Sequence, residues 1–164
     1  MTCEIQYWLS IIVFFKFIYL CSLKMSWDSY IDNLLQQTKD ASGEIHADKA
    51  CIISLDGGSP WTTNGHPNAL ILEGAEGSTI AKVMKTKDFT PFHATGVRAG
   101  GDKYQFLRAE DERTVLAKMK EKGALTIGTS KSAIVIAHTI EGMQQGNTNK
   151  GVGVITDYLE SLGM

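Results

Sequence analysis

Two stretches of the chain repeat apolar residues every three or four positions. In "MSWDSYIDNLL", residues 25–35, Trp27, Tyr30, Ile31, Leu34 and Leu35 fall on one side of a helix, with Asp28, Asp32, Asn33 and then Gln36 on the other. Near the far end, Val152, Ile155, Tyr158, Leu159 and Leu162 form a second stripe, and Gly163 follows as a stop. Ser26 is the predicted N-cap of the first helix, because its hydroxyl can accept from the free amides of the first turn, and Asp28 is well placed against the positive dipole end. Each terminal helix needs a surface to cover.

Between them the pattern changes to short runs rich in β-branched residues, separated by turn chemistry. "ACIISL" precedes Asp56-Gly57-Gly58, "KYQFLRA" precedes an acidic loop, and "TVLAKMK" precedes Glu121-Lys122-Gly123. "GALTIGTS" and "SAIVIAHTI" flank Lys131. These runs predict four or more strands in an antiparallel meander. Residues 70–85 predict a helix interrupted by Gly74 and Gly77. Strands bracketed by helices predict the α+β class: a central antiparallel β-sheet covered by helices, with the N- and C-terminal helices adjacent on one face.

Ahead of all this stands "IQYWLSIIVFFKFIYLCSL", residues 5–23, which approaches the ~20 apolar residues a spanning helix needs. As a signal peptide it has Glu4 where a basic region belongs, and no small-residue cleavage site around Leu20, Cys21 and Ser22. As an anchor it carries Lys16 near its middle, at a cost of roughly 2.5–3.5 kcal/mol. The preferred reading is an upstream extension, residues 1–24, ahead of a start at Met25 and a single domain over residues 25–164.

Composition adds three limits. The 164 residues suffice for about one domain with a self-supporting core. A net charge of -2 argues against a nucleic-acid binder and leaves room for a local basic patch, since acidic residues dominate before residue 86 and basic ones match them after it. Cys3 and Cys21 lie in the leading segment and Cys51 stands alone in the body, which fits a reducing compartment.

Catalytic patterns are missing from the sequence: no G-x-S-x-G elbow, no phosphate loop, no H-E-x-x-H and no paired cysteines. His46, His66, His93 and His138 lack ligand spacing, and Cys51 in its apolar run is expected to be a buried small hydrophobe. No cofactor is implied. The aromatics say more. A single aromatic on an apolar stripe is normally core, yet Trp27 and Tyr30 occupy a first turn, where full burial is least expected. If the terminal helices are neighbours, Trp27, Tyr30, Trp61 and Tyr158 converge on one exposed strip. Such a strip suits a polyproline II helix, whose rings stack on aromatics and whose free carbonyls accept from indole and phenol groups.

Taken together, "MSWDSYIDNLL", "WTTNG", "TGVRAGGDKYQFLRAE" and "GNTNKGVGVITDYLESLGM" resemble a profilin across residues 25–164. The resemblance implies a cytoplasmic, cytoskeletal, non-catalytic protein that binds monomeric actin one to one, regulates its polymerisation and promotes its nucleotide exchange. It also implies binding of proline-rich proteins such as formins, and of phosphatidylinositol 4,5-bisphosphate, with no nucleic-acid partner. The positions matching the proline site are Trp27, Tyr30, Trp61 and Tyr158. Those matching the actin face are His93, Lys103, Arg108, Lys120, Lys122, Met143, Gln144, Gly146, Asn149 and Lys150. Lys103, Arg108, Lys120, Lys122 and Lys150 would also meet phosphoinositide. Gln144 and Gln145 stand where mammalian members often have a His-Gly pair, and Met164 replaces a terminal Tyr. A different reading of the residues alone is a membrane-tethered adaptor of similar architecture.

Overall fold

In the computed structural model, residues 26–164 are described, and the leading segment with its alternative readings lies outside them. Helix α1 spans Asp28–Gln37 and strand β1 spans Ala47–Ser54. Helices α2 (Glu76–Thr86) and α3 (Thr90–Thr95) follow. Strands β2 (Val97–Ala99), β3 (Asp102–Glu110), β4 (Thr114–Met119), β5 (Gly123–Thr129) and β6 (Ala133–Thr139) lead into helix α4 (Gln145–Ser161).

The six strands form one antiparallel sheet in the order β1-β6-β5-β4-β3-β2. Strands β2 to β6 are the expected meander, while β1 departs from it by crossing to the far end to pair with the last strand. That crossing puts both chain-terminal helices over the same strands. Alternation does the rest, since side chains one residue apart point to opposite faces. Ala50, Ile52, Ala133, Val135 and Ala137 meet Ile31, Leu34, Val152, Ile155 and Leu159 on one face. Cys51, Ile53, Ile127, Ile134 and Ile136 meet Ile80, Val83, Met84 and Phe92 on the other. Strand β6 is therefore apolar on both sides, and β5 is buried along its whole length. Truncating a fully buried isoleucine such as Ile136 should cost about 2–5 kcal/mol.

The terminal helices come close because small residues face them. A Cβ on Gly151 would sit 2.7 Å from the Thr38 methyl and 3.1 Å from the Leu34 carbonyl, and one on Gly128 would sit 2.6 Å from a Val152 methyl. Thr38 cannot readily yield, as its buried hydroxyl donates to Leu35 O at 2.7 Å and accepts from the amides of His46 and Ala47.

Several sequence expectations are corrected. The helix expected over residues 70–85 begins only at Glu76, after Gly74 with φ +51°. Before it, the Leu70 amide bonds Ala50 O and the segment packs beside β1. Helix α3 and strand β2 were not foreseen, being too short to show a period. At the start of α1 the N-cap position falls to Trp27, already helical at φ -52°, while the Ser26 hydroxyl accepts from the Asp28 amide at 3.3 Å. No helix among the described residues is long and apolar enough to cross a membrane.

Candidate functional site

The aromatic residues do converge. Trp27, at the head of α1, lies 5.2 Å from Tyr30 and 4.6 Å from Trp61 by ring centroids, and Tyr30 lies 6.2 Å from Tyr158 on α4. Trp61 comes from the loop after β1. That loop is held to the strand, because the Trp61 amide donates to Ile52 O at 2.8 Å and the Ile52 amide donates to the Thr62 hydroxyl at 3.2 Å. The four rings form a shallow trough between the terminal helices.

Burial divides their roles. Tyr30 is only 8% exposed, so the expectation that it stands open is corrected: it is the floor, packed with Ile31 and Leu159. Trp27 and Trp61 are half-buried, and Tyr158 is 48% exposed. Burial, with the neighbouring Tyr158, raises the Tyr30 phenol above its ordinary pKa and keeps it a hydrogen-bond donor. The buried stripe of α4 is Val152, Ile155 and Leu159, whereas Tyr158 and Leu162 stand outside it. Val154 joins them there by i, i+4 spacing, a residue sequence reasoning passed over.

A second surface lies where the terminal helices leave the sheet uncovered. Arg108 pairs across the ladder with Leu116, and Gln105 with Lys118, so all four point to the terminal-helix side. Arg108 reaches that side because a bulge between Phe106 and Arg108 inverts the alternation. Lys103 shares it by its two-residue spacing from Gln105. Lys118 was missed in the sequence; its alternation with Leu116 was the available signal. Helix α4 borders this surface, since Asn149 Oδ1 accepts from the Thr126 hydroxyl at 2.7 Å, and the next residue, Lys150, is exposed.

Other residues matched to this surface are distributed differently. His93 packs 4.3 Å from the Phe106 ring, which belongs to the opposite face's core, so the structure separates it from Arg108. Lys122 sits in the β4–β5 turn, 3.6 Å from Asp102, with Lys120 exposed nearby. Arg108 is held by Glu110 at 2.8 Å. Met143 and Gln144 lead into α4, whose second residue is Gly146, and the Gln144 amide donates to His46 Nδ1 at 3.0 Å.

Catalytic chemistry finds no support in these groups. Burial pushes the Cys51 thiol up to about 12, which keeps it protonated and inert. His46, His66 and His138 each pair with an aspartate: Asp40, Asp32 and Asp48 respectively. No metal-holding cluster occurs among the described residues.

With this geometry in place, likeness to known proteins decides the family. A family model for profilin matches residues 25–164. The chain belongs to the profilin family. Profilin of Heliocidaris crassispina is 69% identical over 140 residues, spanning 85% of this chain and 100% of that protein, and profilin of Suberites domuncula is 66% identical with the same coverage. Among solved structures, Acanthamoeba castellanii profilin II is 28% identical with a TM-score of 0.67, covering 85% of this chain and 100% of that one. Mouse profilin IIa in complex with a double repeat from the FH1 domain of mDia1 is 22% identical with a TM-score of 0.60 over 84% and 99% of the two chains, a likeness of fold. Profilins are non-enzymatic, actin-binding regulators of the cytoskeleton.

Proposed function

We propose that this profilin binds monomeric actin one to one and delivers it to proline-rich assembly factors such as formins. The trough of Trp27, Tyr30, Trp61 and Tyr158 carries the reading: four aromatics from three distant segments meet at the edge of the core, with Tyr30 buried as a floor and the other three left partly accessible beyond it. A polyproline II ligand stacks on such rings and needs donors for its carbonyls, which indole and phenol supply. Mouse profilin IIa, of the same fold, takes an FH1 double repeat.

Actin is assigned to the surface of Lys103, Arg108 and Lys118 beside Asn149 and Lys150, with Met143, Gln144 and Gly146 at its margin. His93, Lys120 and Lys122 would contribute from its edges. The same cations suit phosphatidylinositol 4,5-bisphosphate, so lipid and actin should compete. Faster nucleotide exchange on actin follows if the protein prefers a more open actin conformation. The protein acts in the cytoplasm, with residues 1–24 as an upstream extension of the domain.

The deciding experiment is binding to immobilised poly-L-proline alongside co-sedimentation with actin, with and without vesicles of the bisphosphorylated lipid. Retention on the column, with actin binding reduced by the vesicles, supports the reading. Failure to bind both poly-L-proline and actin overturns it.

A further inference from the structure

One element of the aromatic trough is moored differently from the others. Trp61 and Thr62 are bonded to β1, Tyr30 is buried, and Tyr158 lies within the 17-residue helix α4. Trp27 stands at the very head of α1, where its carbonyl accepts from the Tyr30 amide at 3.0 Å but no side-chain cap bond ties the residue to another element. What holds this end is its neighbour. Asp28 accepts two hydrogen bonds from Thr63 across 35 positions of sequence, from the amide at 2.7 Å and from the hydroxyl at 2.5 Å.

A second tie lies one turn further along α1. His66 Nδ1 accepts from the Asn68 amide at 3.0 Å, which leaves Nε2 to carry the proton and donate to Asp32 at 3.0 Å. Asp28 and Asp32 are spaced i, i+4 on one helix face, and Thr63 and His66 face them from the Trp61 loop. Each partner of the first tie borders an indole: Asp28 follows Trp27, and Thr63 comes two residues after Trp61. The Thr63 bonds, backbone first, hold the Asp28 carboxyl below its ordinary pKa, as expected of an anion receiving charge-assisted bonds.

The geometry points to Asp28 as a positioning residue for proline-ligand recognition: its clasp on Thr63 fixes the head of α1 to the Trp61 loop and so sets the tilted contact of Trp27 with Trp61, 4.6 Å between ring centroids. The inference rests on the proline-binding reading above and adds its control element. The clasp is largely solvent-exposed and lies outside both core clusters. Losing it should therefore loosen one ring of the site without loosening the fold.

The test uses the full chain with Asp28→Ala, Thr63→Val and the pair, plus Thr63→Ser, which keeps both donors, as conservative rescue. Affinity for a poly-L-proline peptide, affinity for actin, the urea midpoint and the near-ultraviolet dichroism of the coupled indoles are measured together. We expect about tenfold weaker peptide binding in Asp28→Ala, a smaller loss in Thr63→Val and no further loss in the double variant. Thr63→Ser should restore binding, and the indole dichroism should fall in parallel with affinity while actin binding and the urea midpoint hold. Additive losses, unchanged dichroism, or a parallel fall in actin binding and stability would each overturn the assignment. If the parent chain itself ignores poly-L-proline, the proline reading fails, and the dichroism of the same variants still decides whether the clasp sets the indole pair.

Discussion

His138 on β6 and Asp48 on β1 meet at 2.5 Å, ring Nδ1 to carboxylate oxygen, while His138 Nε2 donates to the Lys122 carbonyl at 2.6 Å. Asp48 reaches the ring because a ladder irregularity between Ala47 and Lys49 turns it there. A carbonyl and a carboxylate both accept, so the geometry favours a proton on each ring nitrogen and a cationic imidazole.

This pair predicts a pH-dependent stability. The Asp48 bond raises the His138 pKa above 6.5, against the opposing effect of burial. A raised folded pKa contributes stability that is complete below 6.5 and lost as pH climbs through the folded value. At Asp48, burial pushes upward, but the His138 bond and charge prevail and lower the pKa from 3.8, so its contribution is lost only as pH falls through that lowered value. Urea midpoints of the parent and His138→Ala should therefore differ most between pH 3.8 and 6.5 and converge in alkali. The largest gap should be about 1–2 kcal/mol, since Asp48 is partly exposed. A gap that is flat from acid to alkali would refute the imidazolium assignment.

For the aromatic trough, Trp61→Ala should weaken poly-L-proline binding by 2 kcal/mol or more, roughly thirtyfold, with actin binding kept. Tyr30→Phe tests the floor separately, as it removes a hydroxyl and leaves the packing. Fluorescence titration with a proline peptide measures both, and equal affinity of Trp61→Ala and the parent is the outcome that defeats the site.

On the sheet surface, Lys118→Glu should reduce both actin affinity and vesicle binding, and the loss should shrink at high salt, where screening shortens to about 3 Å. His93→Ala should affect actin less, because its ring is packed against Phe106. Sedimentation with actin at two ionic strengths separates the two variants.

Two glycines of α4 give a matched pair. Alanine generally favours a helix over glycine by up to about 1 kcal/mol. At Gly153 nothing lies within 4 Å of a new Cβ, so Gly153→Ala should raise the Tm. At Gly151 the Cβ would press on Thr38 and Leu34, and overpacking of about 1–3 kcal/mol exceeds the propensity gain. Gly151→Ala should lower the Tm and weaken proline binding, as it wedges Tyr30 from Tyr158. Thermal melts of both variants against the parent test the contrast.

Much of this architecture was legible in the chain. Leu34 and Ile155 announced their helices by period, and the runs around Ile52, Ile127 and Ile136 announced strands by β-branching. The aromatic set was legible as residue types on stripes. Its convergence depends on β1 pairing with β6, which strand patterns alone do not encode. The Asp28–Thr63 clasp was invisible because 35 positions separate its members. Arg108 lands on its face through a bulge, a one-residue irregularity with no signature in composition.

The pairing of first strand with last also bears on synthesis. A ribosome releases Trp27 early, and Trp61 soon afterwards, but their common floor has no wall until Tyr158 emerges with α4. Strand β1 likewise waits for β6, its sole ladder partner in the sheet order. A growing chain accordingly displays aromatic residues without a trough, and the complete aromatic surface exists only on a finished domain.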